Sequence, residues 1–269
     1  MSSSPAGSRP VPSGLAGPPP EMMPVPAAVR RALAARALGD ARLRPVWRNG
    51  VGGLTFAVGG GSGGPLDRDR PAAKFFAKWN PAGSGESLSA EAERLRWLRG
   101  RHSAPTVVEL IADGGEEVML TRALPGASAV AERWKRDPGT ALRALGDGLR
   151  RLHATPVTGC PFDWSVEYRI AAAGVDAEAL GPVPPIDRLV VCQGDPCAPN
   201  TLIAADGSFL AHVDLGRLGV ADRWADLAVI TMSLEWNYAD YDEAVFWEAY
   251  GAEPDPARID FYRGLWNAE

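Results

Sequence analysis

The stretch "VVCQGDPCAPNTLIAADGSFLAHVDLG" (190–216) places Asp195, Asn200 and Asp214 on either side of a short apolar hairpin. "TLIA" (201–204) and "FLAHV" (209–213) read as two strands around Asp206-Gly207, a turn-forming pair. A tight hairpin returns the chain to its starting edge, so this spacing lets the three polar side chains converge. Burying acids is costly unless something binds them. Asn200 and Asp214 offer the hard oxygens that Mg²⁺ takes alongside phosphate oxygens. Asp195, at the head of a D-x-x-x-x-N spacing, is placed to accept a proton from an attacking hydroxyl. The competing reading makes these residues ordinary turn and capping groups.

The order of a catalytic Asp, an Asn, and then an Asp before Gly (here Asp214-Leu215-Gly216) is the layout of the protein-kinase template. That layout makes demands upstream. A strand lysine should grip phosphates: Lys78 in "AAKFFAKW" (72–79) qualifies, with Lys74 of the same side-chain parity as competitor. A glutamate on the next helix should orient it, and "SLSAEAERLRWLRGR" (87–101) has Leu88, Ala92, Leu95 and Leu98 in phase, Ser87 or Ser89 as cap, and Glu91 or Glu93 as the candidate. A glycine turn should cover the phosphates, and "NGVGG" (49–53), with Asn49, Gly50, Gly52 and Gly53, lies between two strand-like runs.

Outward from these motifs the chain reads as α+β, with the two-lobed protein-kinase-like fold. An amphipathic helix is expected over 26–38 on Val29, Leu33 and Ala37, a loop over 59–71, and a hairpin over 106–126 around Asp113-Gly114-Gly115. Past Gly126 the pattern turns helical: Leu142, Leu145, Leu149 and Leu152 share a face in 139–153, and 222–250 reads as helix. Residues 156–187 show no clear element, and 188–192 is a short strand. The expected division is a Pro/Gly/Ser-rich disordered tail (1–24), a nucleotide-binding N-terminal lobe of antiparallel sheet plus helix (25–122), and a mainly helical catalytic and substrate-binding lobe (123–269).

Composition narrows the partners. A net charge of −5 argues against a nucleic-acid surface and suits a cationic small molecule. No apolar run approaches a membrane span, the tail has no signal-peptide core, and the odd set Cys160, Cys192 and Cys197 reads as reduced thiols of a cytoplasmic protein. His153 reads as structural, and His102 and His212 lack the partners of a triad or zinc site.

The pieces "NGVGGLTF", "FAKW", "EAERLRWL", "LHATPVTGCPFD", "CQGDPCAPN", "HVDLGRLGVADRWADLA" and "RIDFYRGLW" resemble the aminoglycoside phosphotransferases, over roughly residues 45 to 269. The last four are most similar to the branch acting on the 3′-hydroxyl of kanamycin-type drugs and the 3″-hydroxyl of streptomycin. The resemblance implies ATP, with GTP as the open alternative, and Mg²⁺ as cofactors, an aminoglycoside acceptor, and a monomer or weak homodimer. It implies Asp195 as base or hydroxyl positioner, Asn200 and Asp214 as magnesium ligands, Lys78 on the phosphates with Glu91 as partner, and loop 50–55 over the triphosphate. It further implies adenine held by the backbone from Thr121 to Ala123, and Arg217 and Asp226 bracing the catalytic loop.

The chain departs from that pattern in three places. Gln193 stands where the family usually has His, in a supporting position. "SVEYRIAAAG" (165–174) has alanines where drug-binding glutamates are expected, in a shortened segment. The usual acidic ending is replaced by "LWNAE". Glu235, Asp240, Asp242 and Glu243 in "LEWNYADYDE" (234–243), with Trp236, Tyr238 and Tyr241 for sugar rings, are the candidate compensation, together with Glu269. An amphipathic helix with a solvated acidic face explains that stretch equally well. The expected activity is transfer of the γ-phosphoryl group to a sugar hydroxyl, 3′ favoured, conferring resistance. Streptomycin 3″-phosphorylation, a biosynthetic kinase acting on an antibiotic precursor, and a non-catalytic nucleotide-binding scaffold are the alternatives.

Overall fold

The computed structural model describes residues 17, 19–20, 23–59 and 73–269. Most of the expected disordered tail and nearly all of the expected 59–71 loop lie outside these residues. Gly17, within the tail, makes a two-way backbone pair with Arg48 at 2.9 Å. The chain forms two compact units. Of the described residues, one holds those from Gly17 to Ala127 plus Ala211–Arg217, and the other holds Ser128–Leu210 and Leu218–Glu269.

The first unit is built on a five-stranded antiparallel sheet of order β1-β2-β3-β5-β4. The strands are β1 (Arg42–Arg48), β2 (Leu54–Gly59), β3 (Ala73–Asn80), β4 (Val107–Asp113) and β5 (Glu116–Arg122). Helix α1 (Ala27–Ala34) buries Val29 and Leu33 against Phe56, Val58, Ala77, Val118 and Leu120 on one face of the sheet. It stops short of the expected end: Ala37 sits beyond it, exposed, with φ 56. Alternation along β3 turns Ala77 toward α1 and Lys78 to the opposite face, where α2 (Leu88–Leu98) packs. The start of α2 is fixed twice over. Ser87 accepts from the Ala90 N–H at 3.2 Å, and the Glu117 carboxylate of β5 accepts from the Leu88 and Ser89 N–H groups at 2.6 and 3.2 Å. A carboxylate at a helix N-terminus satisfies orphan donors and complements the dipole, so the first turn, which carries Glu91, is held on the sheet.

A two-residue strand, β6 (Ala127–Ser128), marks the boundary. Beyond it come α3 (Glu132–Lys135), α4 (Pro138–His153), α5 (Val166–Ala173), α6 (Ala177–Leu180), β7 (Leu189–Cys192), β8 (Thr201–Ile203), β9 (Phe209–His212), β10 (Gly219–Asp222), α7 (Trp224–Asn237), α8 (Ala244–Tyr250) and α9 (Pro256–Ala268). The leucine stripe of α4 is fully buried, and Gly146 lets α8 approach: a Cβ there would stand 2.6 Å from the Phe246 carbonyl oxygen. Helix α7 is buried on every side from Trp224 to Leu234. The single helical run expected over 222–250 is instead α7 and α8 with an extended break, because Tyr238 leaves helical geometry at φ −123 and ψ 140. Its start is also different: Asp222 ends β10, which pairs antiparallel with β7 in the register Gly219↔Cys192. That strand was not expected, and neither were α5, capped by Ser165 and ended by Gly174 at φ 67, and α6, capped by Asp176.

Candidate active site

Lys78, Glu91 and Asp214 meet in the first unit. The Lys78 ammonium lies 2.7 Å from Glu91 Oε2 and 2.6 Å from Asp214 Oδ1. Lys74 and Glu93 are exposed, so Lys78 and Glu91 are the members of the two competing pairs that the fold brings together. Burial works against the charged amine, but the Asp214 and Glu91 carboxylates outweigh it and hold its pKa above the ordinary lysine value. Burial raises the Glu91 carboxyl, opposed by Lys78. For Asp214 burial acts in the same sense but is overcome by Lys78, with a smaller contribution from Arg217, so its carboxyl stays below the usual range. Arg217 therefore acts electrostatically on Asp214, from an exposed position.

The glycine turn is stapled by side chains. Asn49 Oδ1 accepts from the Gly53 N–H, and its Nδ2 donates to Glu86 Oε2 at 2.8 Å. Gly52 needs its missing Cβ for conformation, at φ 87, whereas Gly53 needs it for space: a Cβ would stand 2.3 Å from Asn80 Oδ1. Of the expected adenine contacts, Thr121 is buried in β5, and the Ala123 N–H already donates to the Lys74 carbonyl at 3.1 Å.

In the second unit the loop from Gln193 to Asn200 is cradled from beneath. Asp226, fully buried on α7, accepts from the Gln193 N–H at 2.6 Å and the Gly194 N–H at 3.0 Å, and faces His153 Nε2 at 3.0 Å. Gln193 Oε1 accepts from the Asp195 N–H at 2.7 Å. Asn200 Nδ2 donates to the Asp195 carbonyl at 2.9 Å, which orients the amide and turns its oxygen, the atom a hard cation needs, the other way.

Several expected acceptor contacts are committed elsewhere. Glu235 pairs with Arg263 at 2.9 Å, and Glu269 pairs with Arg169 at 2.6 Å. Asp242 accepts from the Ala244 N–H, and Glu243 from Trp247 Nε1. Tyr238 is a core residue whose hydroxyl donates to the Ala129 carbonyl, so it presents no ring to a sugar. Asp240, exposed at φ 50, and Asp242 are the acids of this stretch at the surface.

A family model described as the phosphotransferase enzyme family matches residues 42–262. The chain belongs to the phosphotransferase enzyme family. Relatives of this phosphotransferase include a streptomycin 3″-kinase of Streptomyces griseus, 34% identical, with 80% of this chain and 92% of the relative covered. An aminoglycoside 3′-phosphotransferase of Streptomyces fradiae is 35% identical, covering 76% and 87%. Among solved structures, an aminoglycoside 3′-phosphotransferase of type VIII superposes with a TM-score of 0.73 at 28% identity, over 90% of this chain and 98% of that one. The aminoglycoside phosphotransferase APH(3″)-Id of Streptomyces rimosus, in complex with ADP and streptomycin, gives 0.64 at 25% identity, over 87% and 96%. This phosphotransferase has their protein-kinase-like α+β fold.

Sequence reasoning passed over the partners of two buried residues. His153, read as structural, joins Tyr250 Oη at 2.9 Å to Asp226, tying α4 and α8 to the acid beneath the Gln193 and Gly194 N–H groups. Arg169 on α5 is 1% exposed and lies over the Trp164 ring at 5.2 Å. The signals available were the position of His153 at the end of a buried stripe and an arginine beside the apolar run Ile170–Ala173 of a short helix. Among the described residues, no helix is long and apolar enough to cross a membrane.

Proposed function

We propose that this chain transfers the γ-phosphoryl group of ATP to a sugar hydroxyl of a cationic aminoglycoside, favouring the 3′-hydroxyl. The observation that carries the reading is the Lys78 ammonium held between Glu91 and Asp214, in a member of a phosphotransferase family. Asn200 and Asp214 would each offer the kind of oxygen Mg²⁺ favours and would hold it; when bound, the ion offsets charge on the triphosphate. Lys78 would bind phosphate oxygens, with Glu91 keeping it in place. Asp195, its backbone fixed by Gln193 and Asn200, would align the hydroxyl and take its proton late, since a loose transition state asks little base strength. Asp240 remains as a surface acid for an ammonium group of the drug, on the same stretch as Trp236 and Tyr241. The cytoplasm as location, ATP over GTP, and a monomer or weak homodimer belong to the same proposal.

The similarity to the Streptomyces griseus kinase favours a second reading, streptomycin 3″-phosphorylation, and Pro196 in "GDPCAPN" leans the same way. A panel of kanamycin, neomycin, streptomycin and their precursors, incubated with ATP and Mg²⁺ and followed by phosphorus NMR, decides the acceptor. Asp195→Ala is expected to lose most turnover while ATP binding survives. ATP affinity collapsing in step with turnover counts against the role, and stabilisation by ATP without turnover on any acceptor revives the scaffold reading.

A further inference from the structure

We propose that His102 and His212 form a positioning pair that fixes Asp214; the inference rests on the assignment of Asp214 as a magnesium ligand made above. Asp214 has φ 57, a left-handed conformation uncommon for residues with a Cβ, although Asp adopts it more readily than most. Its side chain is held by Lys78 at 2.6 Å. The main chain leading to it is held at His212, which is 1% exposed. The His212 N–H donates to the Ser103 carbonyl at 3.2 Å, and its ring Nδ1 lies 3.0 Å from His102 Nε2. The ring centroids are 5.1 Å apart and the planes differ by 19°. With the two nitrogens this close, the rings meet edge to edge, the geometry of one N–H···N hydrogen bond.

His102 and Ser103 are neighbours on the loop behind α2, and α2 carries Glu91. The helix and its following loop thus reach Asp214 by two routes: through Glu91 and Lys78 to the carboxylate, and through His102 and Ser103 to the backbone at His212. An aliphatic pair would fill the same space. Two imidazoles add a directional bond in a mostly buried place, where such bonds fix orientation more firmly than packing does. Neither ring has a part in phosphoryl transfer as proposed, so what the pair contributes is the placement of the Asp214 carboxylate. Groups that orient a metal ligand from behind commonly change metal affinity by about 10–100-fold when removed.

The test uses the full chain with ADP, and Mn²⁺ as a stand-in for Mg²⁺ whose binding is read by electron paramagnetic resonance. His102→Leu is expected to weaken Mn²⁺ binding to the ADP complex about tenfold, leave metal-free ADP affinity unchanged, and lower kcat in a way that raised Mg²⁺ partly restores. His102→Gln, whose terminal amide reaches the same nitrogen position, is expected to stay within about twofold of the native protein. Native Mn²⁺ affinity in His102→Leu overturns the proposal. So does His102→Gln behaving no better than His102→Leu with metal-free ADP affinity lost in both, since that pattern marks general damage. Asp214→Asn separates the two layers. If it keeps native Mn²⁺ affinity, the magnesium assignment falls and the pair's role with it. If it loses Mn²⁺ while His102→Leu does not, only the pair is refuted.

Discussion

Replacing Glu269 by Gln should show how much one carboxylate does for a buried guanidinium. Arg169 has a side chain of 0% exposure, and Glu269 Oε1 sits 2.6 Å from its Nε, itself only 12% exposed. Both terminal guanidinium nitrogens are buried without a hydrogen-bond partner among the described residues. The Trp164 face is the other favourable neighbour, and a cation–π contact is worth at most about 2 kcal/mol when desolvated. Taking away the partner of a buried ion pair costs about 3–5 kcal/mol, because the remaining charge is left uncompensated. For a chain of this size each kcal/mol moves Tm by about 2–4 °C, so Glu269→Gln should melt about 6–20 °C lower. Circular dichroism melts at neutral pH measure this, and the double variant Arg169→Leu with Glu269→Gln should recover most of the loss, since no charge is then stranded. A drop of under about 2 °C in the single variant would falsify the claim that Glu269 neutralises Arg169, and solvent would have to be reaching the guanidinium instead.

Three further outcomes are expected. Gly53→Ala should destabilise the glycine turn by about 1–3 kcal/mol, because its Cβ meets Asn80 Oδ1 at 2.3 Å, and hydrogen exchange at 49–54 should rise; unchanged exchange refutes the staple. Asp226→Asn loses a charge-assisted acceptor for the Gln193 and Gly194 N–H groups, worth about 1.5–3 kcal/mol each, so both Tm and kcat should fall, and native kcat would mean the loop holds itself. Burial pushes the Asp187 carboxyl up, but hydrogen bonds from Arg223 and Trp224 prevail and hold its pKa below the ordinary value. That contribution is present above the unfolded carboxylate pKa and is lost as pH falls through the folded one. Asp187→Asn should therefore melt lower than the native chain at pH 7, with the gap closing below about pH 4; a gap independent of pH excludes the charge as its source.

Much of the site was legible because its residues lie close in sequence around one turn or strand. The D-x-x-x-x-N spacing, the D-x-G and the lysine strand are local patterns, and strand, turn and helix signals located them. Lys78 and Lys74 could not be separated, since they share a strand face; only the packing of α2 against β3 decides which one meets an acid. Helices α5 and α6 escaped notice because short helices repeat their pattern too few times to be seen, although Ser165, Gly174 and Asp176 carried capping signals. Strand β10 is shorter than any alternation test needs. The roles of His153, Arg169 and His212 are tertiary: each depends on a partner distant in sequence, to which local periodicity is blind. The arginine partners of Glu235 and Glu269 escape the sequence for the same reason, since Arg263 and Arg169 meet them only in the fold.

The ammonium of Lys78 already touches two carboxylates in the protein by itself. On the proposed function, a phosphate reaching this ammonium competes with the Asp214 carboxylate for it, so its hold on Lys78 is the difference between two contacts and not the full strength of one.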